Sequence, residues 1–185
     1  MIEASCKQKS IFYISGRGGN FTFGLGEYLA SKTEQLDGLS LSNEFLRRDF
    51  QIQLDVVSKL VLKAKDSILV ANSYGAYLLM HVLLSRKVEL SNLILISPIL
   101  GSCYSANRFF KPPFSQHLNT LMSKTENHLP EKTTIIWGAE DESIDQNGLK
   151  KLAYQCTDIQ LIEIDAQKHH IDKQILAKTL DRILS

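Results

Sequence analysis

The chain has 185 residues, enough for one domain and too few for two well-filled cores. Hydrophobic residues make up 44% and charged residues 22%, a globular balance that excludes a disordered chain. A formal net charge of +1 removes any bulk pull toward nucleic acid or an anionic membrane, so partners must be read from a site.

Cys6, Cys103 and Cys156 are far apart and odd in number, which suits reduced thiols better than a disulfide framework or a zinc site. The N-terminal MIEASCKQKS lacks the apolar run of a signal peptide, and no apolar stretch is long enough to span a bilayer. The expectation is a cytoplasmic location.

In chain order, Ile11–Ser15 is a short apolar strand that runs into Gly16-Arg17-Gly18-Gly19, and a helix is predicted over Thr22–Lys32. Leu36–Leu41 is a weaker strand, interrupted by Gly38. From Glu44 to Lys65 the apolar spacing predicts one long helix: Leu54, Val57 and Val61 share a face, and Ile52, Val56 and Leu60 repeat every four residues. Ser67–Ala71 is a continuous apolar run, as in a strand covered on both faces, and a helix is predicted over Tyr74–Arg86.

Leu93–Ser97 and Thr133–Trp137 are two further buried strands, Ile159–Ile164 is the last strand, and Lys173–Leu184 closes as a helix. Strands alternating with helices require parallel crossovers and a three-layer α/β domain. Residues 100–130 make a connection longer than usual and read as a lid-like insertion; an amphipathic helix with an apolar underside is the alternative, and both can hold.

Ala71-Asn72-Ser73-Tyr74-Gly75 lies between a buried strand and an apolar helix. A nucleophile elbow needs that placement, with small residues two before and two after the serine because backbone passes close there. The helix that follows favours developing negative charge at its start, making the Tyr74 N–H a natural oxyanion donor. The competing structural role for Ser73 is a helix cap.

A serine needs a base, and the base an orienting group. Asp141, after the strand ending at Trp137, is the chosen acid, with Glu140 and Glu142 as neighbours able to substitute. His169 is the chosen base, with His170 as fallback. The tandem histidines have no partner spacing that supports a metal, and no metal or cofactor is expected. Gly16, Arg17 and Gly18 let backbone approach a substrate, and Arg17 is assigned the second oxyanion N–H. Its side chain either faces the cleft or faces solvent. Phe109 and Phe110 are the candidate apolar substrate contacts.

With SILVANSYGAYLL, TTIIWGAEDESI and ISGRGGN in place, the chain resembles the α/β-hydrolase superfamily, in particular its short, nearly capless members, over about Ser10–Leu184. The resemblance implies six mainly parallel strands in order 2-1-3-4-5-6 with helices on both faces. It also implies that the chain begins at the third strand of the full fold, and that nucleophile, acid and base map onto Ser73, Asp141 and His169. Ser15-Gly16 stands where many relatives carry His-Gly, Ala71 replaces the elbow's first glycine, and Lys168 replaces the glycine before the histidine.

The function expected is a serine hydrolase that cleaves a carboxylic ester or thioester of a small acyl substrate through an acyl-enzyme. The alternative is a catalytically idle domain of the same fold that binds a ligand or protein. A dinucleotide site at the first glycine loop fails its fingerprint, because Phe21 stands where the third glycine belongs.

Overall fold

The computed structural model describes residues 10–86, 88, 90–100, 103–105, 108–110, 112–124, 129–130, 132–156 and 159–185, with backbone alone for 103–105 and 108–110. Its centre is a six-stranded sheet, entirely parallel. The strands are β1 (Ile11–Arg17), β2 (Leu36–Leu41), β3 (Ile68–Asn72), β4 (Asn92–Ile96), β7 (Lys132–Gly138) and β8 (Ile159–Ile164). Their spatial order is β2-β1-β3-β4-β7-β8, which is the expected 2-1-3-4-5-6 once the small hairpin strands are set aside.

Each central strand is apolar on both faces because helices cover both. Ile11, Tyr13, Ile68, Val70, Ile94, Ile96 and Ile136 point to one side, where α1 (Gly24–Lys32) and α7 (Lys173–Leu184) pack with Leu29, Leu180 and Leu184. The alternate residues Phe12, Ile14, Leu69, Ala71, Leu93, Leu95, Ile135 and Trp137 point to the other. There they meet α3 (Phe50–Lys63), α4 (Tyr74–Ser85) and α6 (Gln146–Gln155). The period of two is what a doubly covered sheet requires.

Helix α4 lies nearest the centre: every residue from Tyr74 to Leu83 is buried. A helix hydrophobic all round belongs in that place.

One helix is split and one is added relative to the sequence expectation. The long helix predicted over Glu44–Lys65 is two helices, α2 (Asn43–Leu46) and α3. The Asp49 carboxylate accepts from Gln51 N–H at 3.0 Å and caps a fresh start. Between β4 and β7 lie a two-stranded antiparallel hairpin, β5 (Cys103–Ser105) with β6 (Arg108–Phe110), and α5 (Ser115–Met122). Helix α5 is the amphipathic helix offered as the alternative for this connection, and it buries Leu118, Leu121 and Met122 on its underside. Helix α6, which the sequence reading leaves without an element, starts at an Asp145 cap that accepts from Gly148 N–H. Among the described residues no helix is long and apolar enough to cross a membrane.

Candidate active site

Three loops meet at the C-terminal edge of the sheet, the edge where open α/β sheets hold ligands. The first is the turn between β3 and α4. Ser73 has φ 52° and ψ −117°, a conformation L-residues rarely adopt, and it persists because strand and helix on either side are fully packed. Ser73 N–H is tied to the Ile96 carbonyl at 2.9 Å. Gly75 is required by close approach: a Cβ there would stand 2.4 Å from the Ser15 carbonyl oxygen. Ala71 fits where a glycine is usual, its methyl fully buried among the core residues on the α4 side.

The acid loop follows β7. Asp141 is buried, and its N–H donates to the Gly138 carbonyl at 3.0 Å. Burial by itself would raise its carboxyl, but hydrogen bonds from His169 and Ser143 outweigh that and hold it below the ordinary value.

The third loop follows β8 and docks on the second. Glu140 N–H donates to the Gln167 carbonyl at 2.8 Å and Ala139 N–H to the Ile164 carbonyl at 2.9 Å. A Cβ at Gly138 would meet the Gln167 carbonyl oxygen at 2.2 Å, so only glycine lets the loops touch. The turn's positive φ falls on Ala166, not on Lys168, so the lysine in place of the usual glycine introduces no strain.

This docking brings the predicted residues together. His169 Nε2 is 2.8 Å from Ser73 Oγ, and His169 Nδ1 is 2.9 Å from Asp141 Oδ2. An ionised carboxylate only accepts, so Nδ1 carries the proton and the Nε2 lone pair faces the serine hydroxyl. His170 is exposed, its ring 5.5 Å from that of His169, and makes no such contact with Ser73. Among the described residues no group of three or more His, Cys, Asp or Glu side chains could hold a metal ion.

Tyr74 opens helix α4, so its N–H belongs to the first turn beside Ser73. Gly16 faces it closely: a Cβ on Gly16 would be 3.2 Å from Ser73 Cβ. The Arg17 side chain lies over the Tyr74 ring, guanidinium carbon 4.4 Å from the centroid. Ser15 explains how the loop holds without the usual histidine. Its hydroxyl is 3.0 Å from the carbonyl oxygens of both Gly16 and Gly19 and accepts from Leu41 N–H at 2.9 Å.

A cleft of about 860 Å³ opens over Ser73 and His169 and includes Gly16 and Arg17 in its lining. Gly18 is outside that lining. The side chains of Phe109 and Phe110 fall outside the described residues, and Phe114 stacks on Phe50, ring centroids 5.0 Å apart, on the opposite side of the sheet.

Sequence reasoning missed Ser143. Its hydroxyl donates to Asp141 Oδ1 at 2.6 Å and its oxygen is 2.9 Å from His169 Nδ1. The available signal was a serine two residues after the acid, a spacing at which it can close a turn onto the carboxylate. Missed too was Ser97, at the end of β4 with φ 42°, whose buried hydroxyl lines the cleft and has no hydrogen-bond partner among the described residues.

The chain has the α/β-hydrolase fold. It superposes on Est1E from Butyrivibrio proteoclasticus with a TM-score of 0.65 at 13% identity, covering 96% of this chain and 87% of that one. On the Paleococcus ferrophilus monoacylglycerol lipase the TM-score is 0.69 at 9% identity, with 96% and 95% covered. On the thioesterase domain from the curacin biosynthetic pathway it is 0.61 at 11% identity, with 96% and 91% covered. No protein-family model and no curated protein matches the sequence.

Proposed function

We propose that the protein is a serine hydrolase that cleaves a carboxylic ester or thioester through a Ser73 acyl-enzyme. The observation that carries this reading is the relay itself: 2.8 Å from Ser73 Oγ to His169 Nε2 and 2.9 Å from His169 Nδ1 to a buried Asp141 carboxylate. The monoacylglycerol lipase and the thioesterase domain named above, which share its fold, lend it support.

In the first half-reaction Ser73 Oγ attacks the carbonyl carbon while His169 Nε2 takes the hydroxyl proton. The oxyanion is held by the N–H groups of Tyr74 and Arg17, the first aided by the helix dipole. Asp141 keeps the imidazole in the right tautomer and stabilises the imidazolium. The tetrahedral adduct collapses, and His169 returns the proton to the departing alcohol or thiol. Water then repeats the sequence in reverse, giving a carboxylic acid and free Ser73.

Labelling with an alkyl fluorophosphonate tests the reading. Stoichiometric modification of the wild type that disappears in Ser73→Ala, with turnover of simple esters or thioesters, is expected. A folded wild type that neither labels nor turns over either class overturns it in favour of an idle binding domain.

A further inference from the structure

The cleft continues beyond Ser73 and His169. Beyond the reacting groups its walls come from α1 and α7 and the loop leading into α7: Leu25, Tyr28, Ile171, Leu176 and Ala177. All five are half-buried, and Leu25, Tyr28, Ile171 and Leu176 pack against the core cluster beneath α1 and α7. Ile99, just before the 100–130 connection, also lines the cleft.

We infer that this groove between α1 and α7 binds an unbranched apolar chain attached to the scissile carbonyl group. The inference rests on the serine-hydrolase reading and adds the substrate class. Continuity is the first ground: the groove and the Ser73–His169 pair share one cavity.

Chemistry is the second. The Tyr28 hydroxyl is already committed, donating to Asp181 Oδ1 at 2.7 Å and lying 3.1 Å from the Ala177 carbonyl. That hydroxyl is thus not free to hold a polar substrate group. Charged Glu27 and Lys173 are exposed and belong to the rim. Such a surface gains by excluding water from methylenes and discriminates little among polar groups.

Length is the third. From Gly24 to Ser31, both lining the cleft, α1 advances about 10 Å at about 1.5 Å per residue, room for an extended chain of about eight carbons.

Two substrate series test the inference and assign the chain to one side of the ester: p-nitrophenyl esters with acyl chains from acetyl to dodecanoyl, and acetates of alcohols from ethyl to dodecyl. The expected result is kcat/KM rising up to about fourfold per methylene in one series, levelling near eight carbons. Ala177→Phe and Leu25→Trp, each checked by circular dichroism and melting, narrow the groove from opposite walls. In either, the octanoyl-to-acetyl ratio (or its alcohol counterpart) should fall at least tenfold.

Flat profiles in both series, in an enzyme that labels with fluorophosphonate and hydrolyses acetates, overturn the groove while leaving the hydrolase reading standing. A chain-length rise that both folded variants retain overturns it as well. Absence of labelling and of all turnover removes the hydrolase reading and this inference with it.

Discussion

The Ser143 hydroxyl donates a 2.6 Å hydrogen bond to Asp141 Oδ1, and the Ser143 N–H donates to the same oxygen at 2.9 Å. The carboxylate is thus fixed by its own downstream turn before His169 reaches it, and the imidazole finds a partner already aimed. Ser143→Ala should lower kcat about tenfold with KM little changed, the size expected for one hydrogen bond to a charged group. Ser143→Thr should recover most of the loss. A KM effect equal to the kcat effect would count against this positioning role.

Asp141→Asn tests the proton arrangement. An amide can present its N–H to Nδ1 and so favour the wrong tautomer, leaving Nε2 protonated toward Ser73. Fluorophosphonate labelling should slow by about 10³- to 10⁴-fold with the fold intact. Loss of less than tenfold would show that His169 does not depend on this carboxylate.

Gly75→Ala should be costly in stability, not merely in activity. The added methyl would collide with backbone, the Ser15 and Ile14 carbonyl oxygens, which no rotamer change can relieve. About 3 kcal/mol of destabilisation is expected in urea unfolding, in the range of overpacked cores. A variant unfolding at the wild-type midpoint would refute the close packing of β1 against α4.

His81, on α4, predicts an acid-sensitive fold. Burial first, and then the nearby His117, lower its imidazole from 6.5 to about 4. Between those values the unfolded chain binds a proton that the folded chain does not. Stability therefore falls as pH drops through that window, by on the order of 3 kcal/mol. Urea midpoints across it should fall more steeply for the wild type than for His81→Leu; identical slopes would exclude His81 as a contributor.

The architecture was legible because burial leaves a plain signature. Strands such as Ser67–Ala71 and Leu93–Ser97 are apolar on both faces, and only a sheet covered twice needs that. The Ser73, Asp141 and His169 positions were legible because chemistry confines them to loops after strands in a fixed chain order. What escaped notice was encoded by single polar side chains. The break at Asp49 is a local cap within a continuing apolar periodicity, and periodicity alone carries the eye past it. Helix α6 is mostly polar at its surface, with only Leu149 and Leu152 buried, too narrow a stripe to stand out. Spacing after the last strand puts His169 ahead of His170, and the turn whose positive φ falls on Ala166 carries His169, not its neighbour, to Ser73.

The sheet divides the apolar interior unequally. The side holding α3, α4 and α6 has much the larger cluster, whereas α1 and α7 rest on a small one and are joined at their outer edge by Lys32–Asp181 and Tyr28–Asp181 contacts. Surface links of that kind add little. Local opening is therefore easiest in the layer formed by the terminal helix and α1, and backbone amides of α7 should exchange with solvent water well before those of α4. The nucleophile is mounted on the rigid half of the molecule, and the wall facing it belongs to the half that breathes.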